Sequence, residues 1–247
     1  MKRNARGPWM GMSLLVVALS GCWLGPQVQG SGNLVQEERQ LPGFVSLEVN
    51  DGIEATVVVD PNQPQKVRLV GDDNLVKLLR TEPLGSSGLR VYFSQEEVLG
   101  WNSRNPLRVE VTVPSLEALS GSGGGKVEVS GDVSPASFSL EVSGGGTVKM
   151  SGLDTESFSM EVSGGSDVTL AGSATRVESD MSGGSNLRAR SLTSRDATLT
   201  SSGGGTTELR VSESLRVSAS GGSEVRIIGR PTVLKEELSG GSTLDFE

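Results

Sequence analysis

The chain of 247 residues has no histidine, one cysteine (Cys22), one tyrosine, three tryptophans and five phenylalanines. Without histidine it lacks the commonest general base and the commonest nitrogen ligand for metals. With a single cysteine, no intrachain disulfide framework can form. There is no Gly-x-Ser-x-Gly elbow and no Ser-x-x-Lys, so the many serines have no activating partner in a recognisable motif. No Gly-Lys-Ser/Thr follows any glycine run, and no helical pattern follows one either, which excludes a phosphate-cradling loop. Acidic residues outnumber basic ones 30 to 22, giving a formal net charge of −8. Such a surface repels nucleic acid.

What is present begins with an address. Lys2, Arg3 and Arg6 precede an apolar stretch from Met10 to Leu19, and Leu19-Ser20-Gly21-Cys22 follows. This is the layout of a bacterial secretion signal. The last four residues resemble the lipobox of bacterial lipoproteins, which implies removal of residues 1–21, lipidation of Cys22 and attachment to a membrane. An ordinary signal peptide with a chance cysteine is the alternative. Cleavage removes three cations and no acid, so the mature chain is more acidic still. Resemblance to lipoprotein sorting rules makes Trp23 after the cysteine, rather than Asp, a pointer to the outer membrane. Residues 22–40 are polar, carry Gly25, Pro26, Gly30 and Gly32, and read as a flexible tether. Beyond the signal no apolar run is long enough to span a bilayer as a helix.

The second half repeats. Ser122, Ser143, Ser163, Ser182, Ser202, Ser220 and Ser239 each precede a glycine-rich corner, at spacings of 21, 20, 19, 20, 18 and 19 residues. Before these serines stand alternating apolar residues such as Phe138, Leu140, Val142 and Phe158, Met160, Val162. After them come pairs such as Val148, Met150 and Val168, Leu170. Alternation marks strands with one buried face. A fixed period near 20 marks stacked rungs that bury those faces only against one another. The expectation is an all-β fold, a parallel β-helix-like solenoid of about 20 residues per rung. Residues 120–247 form its seven Ser-Gly rungs, with glycine at the sharp corners.

Outward columns follow from the same alignment. Six residues after each serine lie Glu128, Lys149, Thr169, Arg188, Glu208, Arg226 and Asp245, a ladder suited to cross-strand ion pairs. Two residues before each serine the column reads Glu141, Glu161, Asp180, Thr200, Ser218, Glu237. Glu141, Glu161 and Asp180 are candidate binding residues: either a solvated acidic stripe or a site for a cation such as Ca²⁺. No metal ligand set and no cofactor motif is identified. Glu236 breaks the inward apolar column in the last rung, where a charge discourages edge-to-edge pairing.

Residues 41–119 are strand-rich but less regular, with runs over 44–49, 53–59, 66–70, 89–93 and 107–113. They are either diverged rungs or a separate cap over the open end. Trp101, in the longest irregular stretch, is a candidate binding residue or else packs against that cap.

From "GFVSLEVNDGIEATVVVDPNQPQKVRLVGDDNLVKLLRTEPLGSSGLRVYF" through "PLRVEVTVPSLEALSGSGGGKVEV", the chain resembles the bacterial family called putative auto-transporter adhesin, head GIN domain, a β-helical family of unknown function. The resemblance covers roughly residues 41–247. It implies a β-helical fold and an adhesive surface role, and supplies no catalytic residues.

Parallel β-helices include polysaccharide lyases and hydrolases, and the carboxylates that could pair for such chemistry are Asp72, Asp73, Glu96, Glu97 and the acidic stripe. The sequence sets no two of them at catalytic separation. The expectation is therefore a non-enzymatic, lipid-anchored envelope protein that binds envelope polysaccharide or protein. A structural spacer without a soluble ligand is the alternative, and a carbohydrate-active enzyme a distant third.

Overall fold

Branched apolar residues alternating with Ser, Thr and charged residues favour extended backbone, and nearly every element is a strand. The computed structural model describes residues 27–94 and 100–247. Cys22, Glu96 and Glu97 lie outside the described residues.

The N-terminal part holds β1 (Gln27–Gln29), β2 (Leu34–Arg39), β3 (Ser46–Val49), β4 (Glu54–Val59), β5 (Lys66–Asp72), the short helix α1 (Asp73–Val76), β6 (Leu79–Leu84), β7 (Gly88–Phe93), β8 (Gly100–Asn102) and β9 (Arg108–Val113). The repeats form β10 (Ala118–Gly121), β11 (Lys126–Gly131), β12 (Ser137–Val142), β13 (Thr147–Val162), β14 (Asp167–Gly183), β15 (Asn186–Gly203), β16 (Thr206–Ser220), β17 (Glu224–Ile228), β18 (Thr232–Leu238) and β19 (Thr243–Phe246). In β13 to β16 the strand runs on around a second corner, which Ser151-Gly152 marks in β13 and Gly172 in β14, so one element serves two faces of a rung.

The pairing in the repeats is parallel and in register along each face, with shifts near the second corner and at Leu234. Phe138 opposes Phe158, which opposes Val177, then Ala197, Leu215 and Val233. The apolar columns expected from the alignment are buried up to the last rung, and the two phenylalanine rings meet at a tilt with centroids 6.2 Å apart. β10, β12, β13, β14, β15, β16 and β18 are seven stacked strands, linked by six turns of chain of roughly 20 residues each.

Residues 41–119 turn out to be both rungs and cap. β3 and β4 form a rung directly beneath β10 and β11. β7 and β9 form the next one outward, beneath β3 and β4. The chain therefore builds the second rung before the first, then crosses back over it through residues 114–117, with Leu116 buried as the anchor of the crossing. Beyond the first rung the direction reverses. β5 pairs antiparallel with β9, and β6 antiparallel with β7. These strands, with α1, close the apolar end that a parallel stack would leave open.

The segment expected as a flexible tether is folded over much of its length. β2 pairs antiparallel with the outer edge of β5 from Leu34–Asp72 to Arg39–Val67, and β1 pairs with β8. The reason is backbone satisfaction. The outer edge of β5 needs hydrogen-bond partners, and a polar strand supplies them without needing a buried face. Asp72 locks this layer. Its carboxylate is 1% exposed and accepts hydrogen bonds from Ser103 Oγ and Asn105 Nδ2, each at 2.5 Å. Those bonds, with one from the Gly32 backbone, hold its pKa below the usual value of 3.8.

Corners repeat as strictly as strands. Gly144, Gly164 and Gly183 have φ of 89°, 82° and 74°. The Gly165 N–H donates to the Gly144 carbonyl at 2.8 Å, and a Cβ on Gly164 would stand 2.2 Å from that same oxygen. Glycine is needed twice over, for its backbone angle and for the space. Gly165 has neither constraint, since a Cβ there meets nothing within 4 Å.

Two outcomes follow for stability. Gly164→Ala is expected to cost at least about 2 kcal/mol, from left-handed strain plus a lost corner hydrogen bond, and to lower Tm by about 5 °C or more. Gly165→Ala is expected to stay within about 0.5 kcal/mol of wild type; equal melting of both variants would refute the corner argument. For Asp72 the depressed pKa means stability that is present above pH 3.8 and lost as pH falls below it through the folded-state value. Asp72→Asn is expected to destabilise the cap at neutral pH and to flatten the acid limb of the stability profile, measured by denaturant unfolding between pH 2 and 7.

Candidate functional site

Side chains at alternate positions of a strand share a face, and register decides which of them meet. On the face formed by β10, β12, β13, β14 and β15, register sets Ser120, Glu141, Glu161, Asp180 and Thr200 in one line across five adjacent strands. The three candidate acids are thus brought together, one per rung, at the strand spacing of about 4.8 Å. They line an open groove of about 340 Å³ together with the adjacent column of corner serines, Ser143, Ser163 and Ser182. All three carboxylates are exposed, and none has a cationic partner among the described residues.

The neighbouring face behaves differently. Glu110 meets Arg68 at 2.8 Å, Asp167 meets Arg188 at 2.7 Å, and Glu208 meets Arg226 at 3.2 Å. Glu128, expected to reach Lys149 on the next rung, instead takes Lys126 at 2.7 Å. Lys126 lies two residues earlier in the same strand and so shares its face. That hydrogen bond lowers the Glu128 pKa and raises that of Lys126, with Lys149 adding a weaker pull on Glu128. Arg226 likewise turns its second nitrogen to Glu224 at 2.5 Å rather than to Asp245. Acids on this face are largely neutralised by neighbours, whereas the groove acids are not.

Trp101 is not part of the groove. It sits in β8 at the capped end, opposite Val28 of β1, half-buried and packed against the apolar core. Asp72 and Asp73 are engaged structurally, Asp72 as described and Asp73 by accepting a hydrogen bond from Ser31 Oγ. Among the described residues no three His, Cys, Asp or Glu side chains converge to hold a metal ion. One carboxylate per rung on a flat sheet is too dispersed to enclose Ca²⁺, which takes six to eight oxygens at about 2.3–2.6 Å.

Sequence reasoning treated the corner serines as markers of the repeat and not as groove residues. Their column in the alignment was the available signal. It also passed over a second depression on the same sheet, of about 460 Å³, bordered by Arg176, Asp196, Arg216 and Leu234. Arg176 and Arg216 form no ion pair among the described residues, and their columns carry Ser157 and Ser159 in earlier rungs. Among the described residues no helix is long and apolar enough to cross a membrane.

Comparison with known proteins agrees with this architecture. No curated protein matches the chain. A crystal structure of a putative adhesin from Bacteroides fragilis matches with a TM-score of 0.78 at 21% identity, covering 89% of this chain and 98% of that one. A putative adhesin from Parabacteroides merdae matches at 0.70 and 15% identity, covering 90% and 99%. A protein described as a putative lipid binding protein from Parabacteroides distasonis matches at 0.67 and 15% identity, covering 90% and 100%. At such identities the likeness is one of fold. Residues 43–231 match the family described as putative auto-transporter adhesin, head GIN domain, and the chain belongs to that family.

Proposed function

We propose that this protein is a lipid-anchored, non-catalytic binding module of the bacterial cell envelope that engages envelope polysaccharide through the groove beside Glu141, Glu161 and Asp180. One observation carries the reading: on a solenoid whose other face pairs its acids with Arg and Lys, these three are left unpaired beside a row of hydroxyls. Carboxylates and serine hydroxyls are acceptors and donors for sugar hydroxyls, and a straight array with one acceptor per rung suits a linear polymer. The family's description as an adhesin supports a binding role. On this reading Cys22 carries the anchor, and the residue after it favours the outer membrane. Five residues then link the lipid to β1 at Gln27, a reach of at most about 17 Å. The capped end lies toward the bilayer and the C-terminal rung away from it. The bareness of that last rung favours a second reading, a spacer or assembly component with no soluble ligand.

The test is binding of the lipoprotein to envelope polysaccharide fractions from the source bacterium. Saturable binding is expected, weakened about tenfold or more, over 1.4 kcal/mol, by the combined changes Glu141→Gln, Glu161→Gln and Asp180→Asn. A chelator is expected to have no effect. Trp101→Ala is expected to lower Tm and leave affinity unchanged, because the side chain packs in the cap. Absence of binding by folded protein, or binding indifferent to the triple change, would remove the groove reading. Separately, Cys22→Ser is expected to move the protein from the membrane fraction to the soluble one; retention in the membrane would overturn the anchor.

A further inference from the structure

The two ends of the solenoid are built differently. At the N-terminal end β5, β6 and α1 cover the first rung, with β2 outside them. At the other end, among the described residues, β18 pairs only with β16 and β19 only with β17, so that each presents an outer edge of backbone N–H and C=O groups with no strand against it. Four of the exposed large apolar side chains, Val233, Leu234, Leu238 and Phe246, belong to this rung at 37–52% exposure. The rung also carries one cation, Lys235, against Glu236, Glu237, Asp245 and Glu247. Lys235 is taken by Glu237 at 3.0 Å and Glu247 by Arg190 of an earlier rung, which leaves Glu236 and Asp245 without an ion pair among the described residues. Glu236 opposes Val217, and a register shift that skips Leu234 brings Val233, three residues earlier, into the same inward column, so Glu236 stands there between Val233 and Leu238, exposed with no described strand over it.

We propose that the last rung is a docking edge for an extended polypeptide strand of basic, amphipathic sequence. Each feature selects that chemistry. A row of unpaired backbone groups at strand spacing is satisfied in register only by another backbone, the mode of strand addition. Val233 and Leu238 call for apolar side chains at alternate positions of the incoming strand. Glu236 between them calls for a Lys or Arg opposite, since a carboxylate covered by a new rung is tolerated only when paired. A second copy of this chain fits poorly, because two acidic rungs would face each other with Glu236 near Glu236. The edge is at the far end of nine stacked strands from the first rung, a distance of about 38 Å at 4.8 Å per step. The inference does not depend on the groove.

The experiment uses full-length protein in detergent and two blocked heptapeptides, Thr-Val-Thr-Lys-Thr-Val-Thr and the same peptide with Glu at its centre. Expected are binding of the Lys peptide about tenfold tighter than the Glu peptide, the ~1.4 kcal/mol of one favourable charge pair, and slowed hydrogen exchange of backbone amides within 232–238. Glu236→Lys is expected to reverse the order of the peptides. Glu236→Gln is expected to abolish the discrimination without adding a charge, and covers the case in which the Lys variant folds poorly. Equal binding of both peptides, or no protection of 232–238 at saturating peptide, would overturn the proposal. So would concentration-dependent self-association that protects the same amides, or protection by anionic phospholipid vesicles with neither peptide effective. Polysaccharide binding is expected to be unchanged by either Glu236 variant, which separates failure here from failure of the groove reading.

Discussion

The close approach of backbone to backbone at the glycine corners is the constraint on which the rest of this structure depends. Between Gly144 and Gly164 the rungs come near enough for the Gly165 N–H to bond the Gly144 carbonyl, leaving no room for a side chain at Gly164. The same relation recurs where Gly183 meets Gly164 and where Gly203 meets Gly183. At the second corner Gly152 meets the Gly131 carbonyl in the same way. With the corners stacked this tightly, strands lie in register along each face, the shifts fall near the second corner and at Leu234, and the side-chain columns between them run straight.

Straight columns explain both the stability and the surface chemistry. Inward, they deliver Phe138 onto Phe158 and Leu140 onto Met160, so each rung buries what its neighbour cannot bury alone. Outward, they turn a residue choice at one offset into an array. On one face the acids find cations on the same strand or the next, as Glu128 does Lys126 and Glu208 does Arg226. On another the array sets Glu141, Glu161 and Asp180 side by side without a counter-charge. The binding reading rests on that contrast between two faces of the same rungs. It does not rest on acidity as such, which the whole chain has.

A stack of parallel strands has two open ends, and among the described residues only one is closed. The N-terminal end reverses strand direction at β5 and β6, adds β2 to the outer edge of β5, and ties that layer with the buried Asp72. The C-terminal end keeps parallel direction to the last strand and presents Val233, Leu238 and Phe246 with Glu236 among them. A charge in an inward column is a usual means of discouraging indiscriminate edge pairing. It also makes any permitted pairing selective for a cation.

Much of this was legible in the sequence. The 20-residue period, the alternation of Phe138, Leu140 and Val142, and the glycines after each serine were enough for the solenoid, its inward columns and the Glu141–Glu161–Asp180 line. Each of these depends only on local alternation and on the repeat itself. Tertiary structure alone decided the rest. The polar strand β2 has no apolar face to announce it and exists because β5 needs an edge partner. The order of the first two rungs is reversed along the chain, which no periodicity encodes. Glu128 chose Lys126 over Lys149, and Trp101 joined the cap, because reach and packing in three dimensions select among partners that sequence spacing leaves equal.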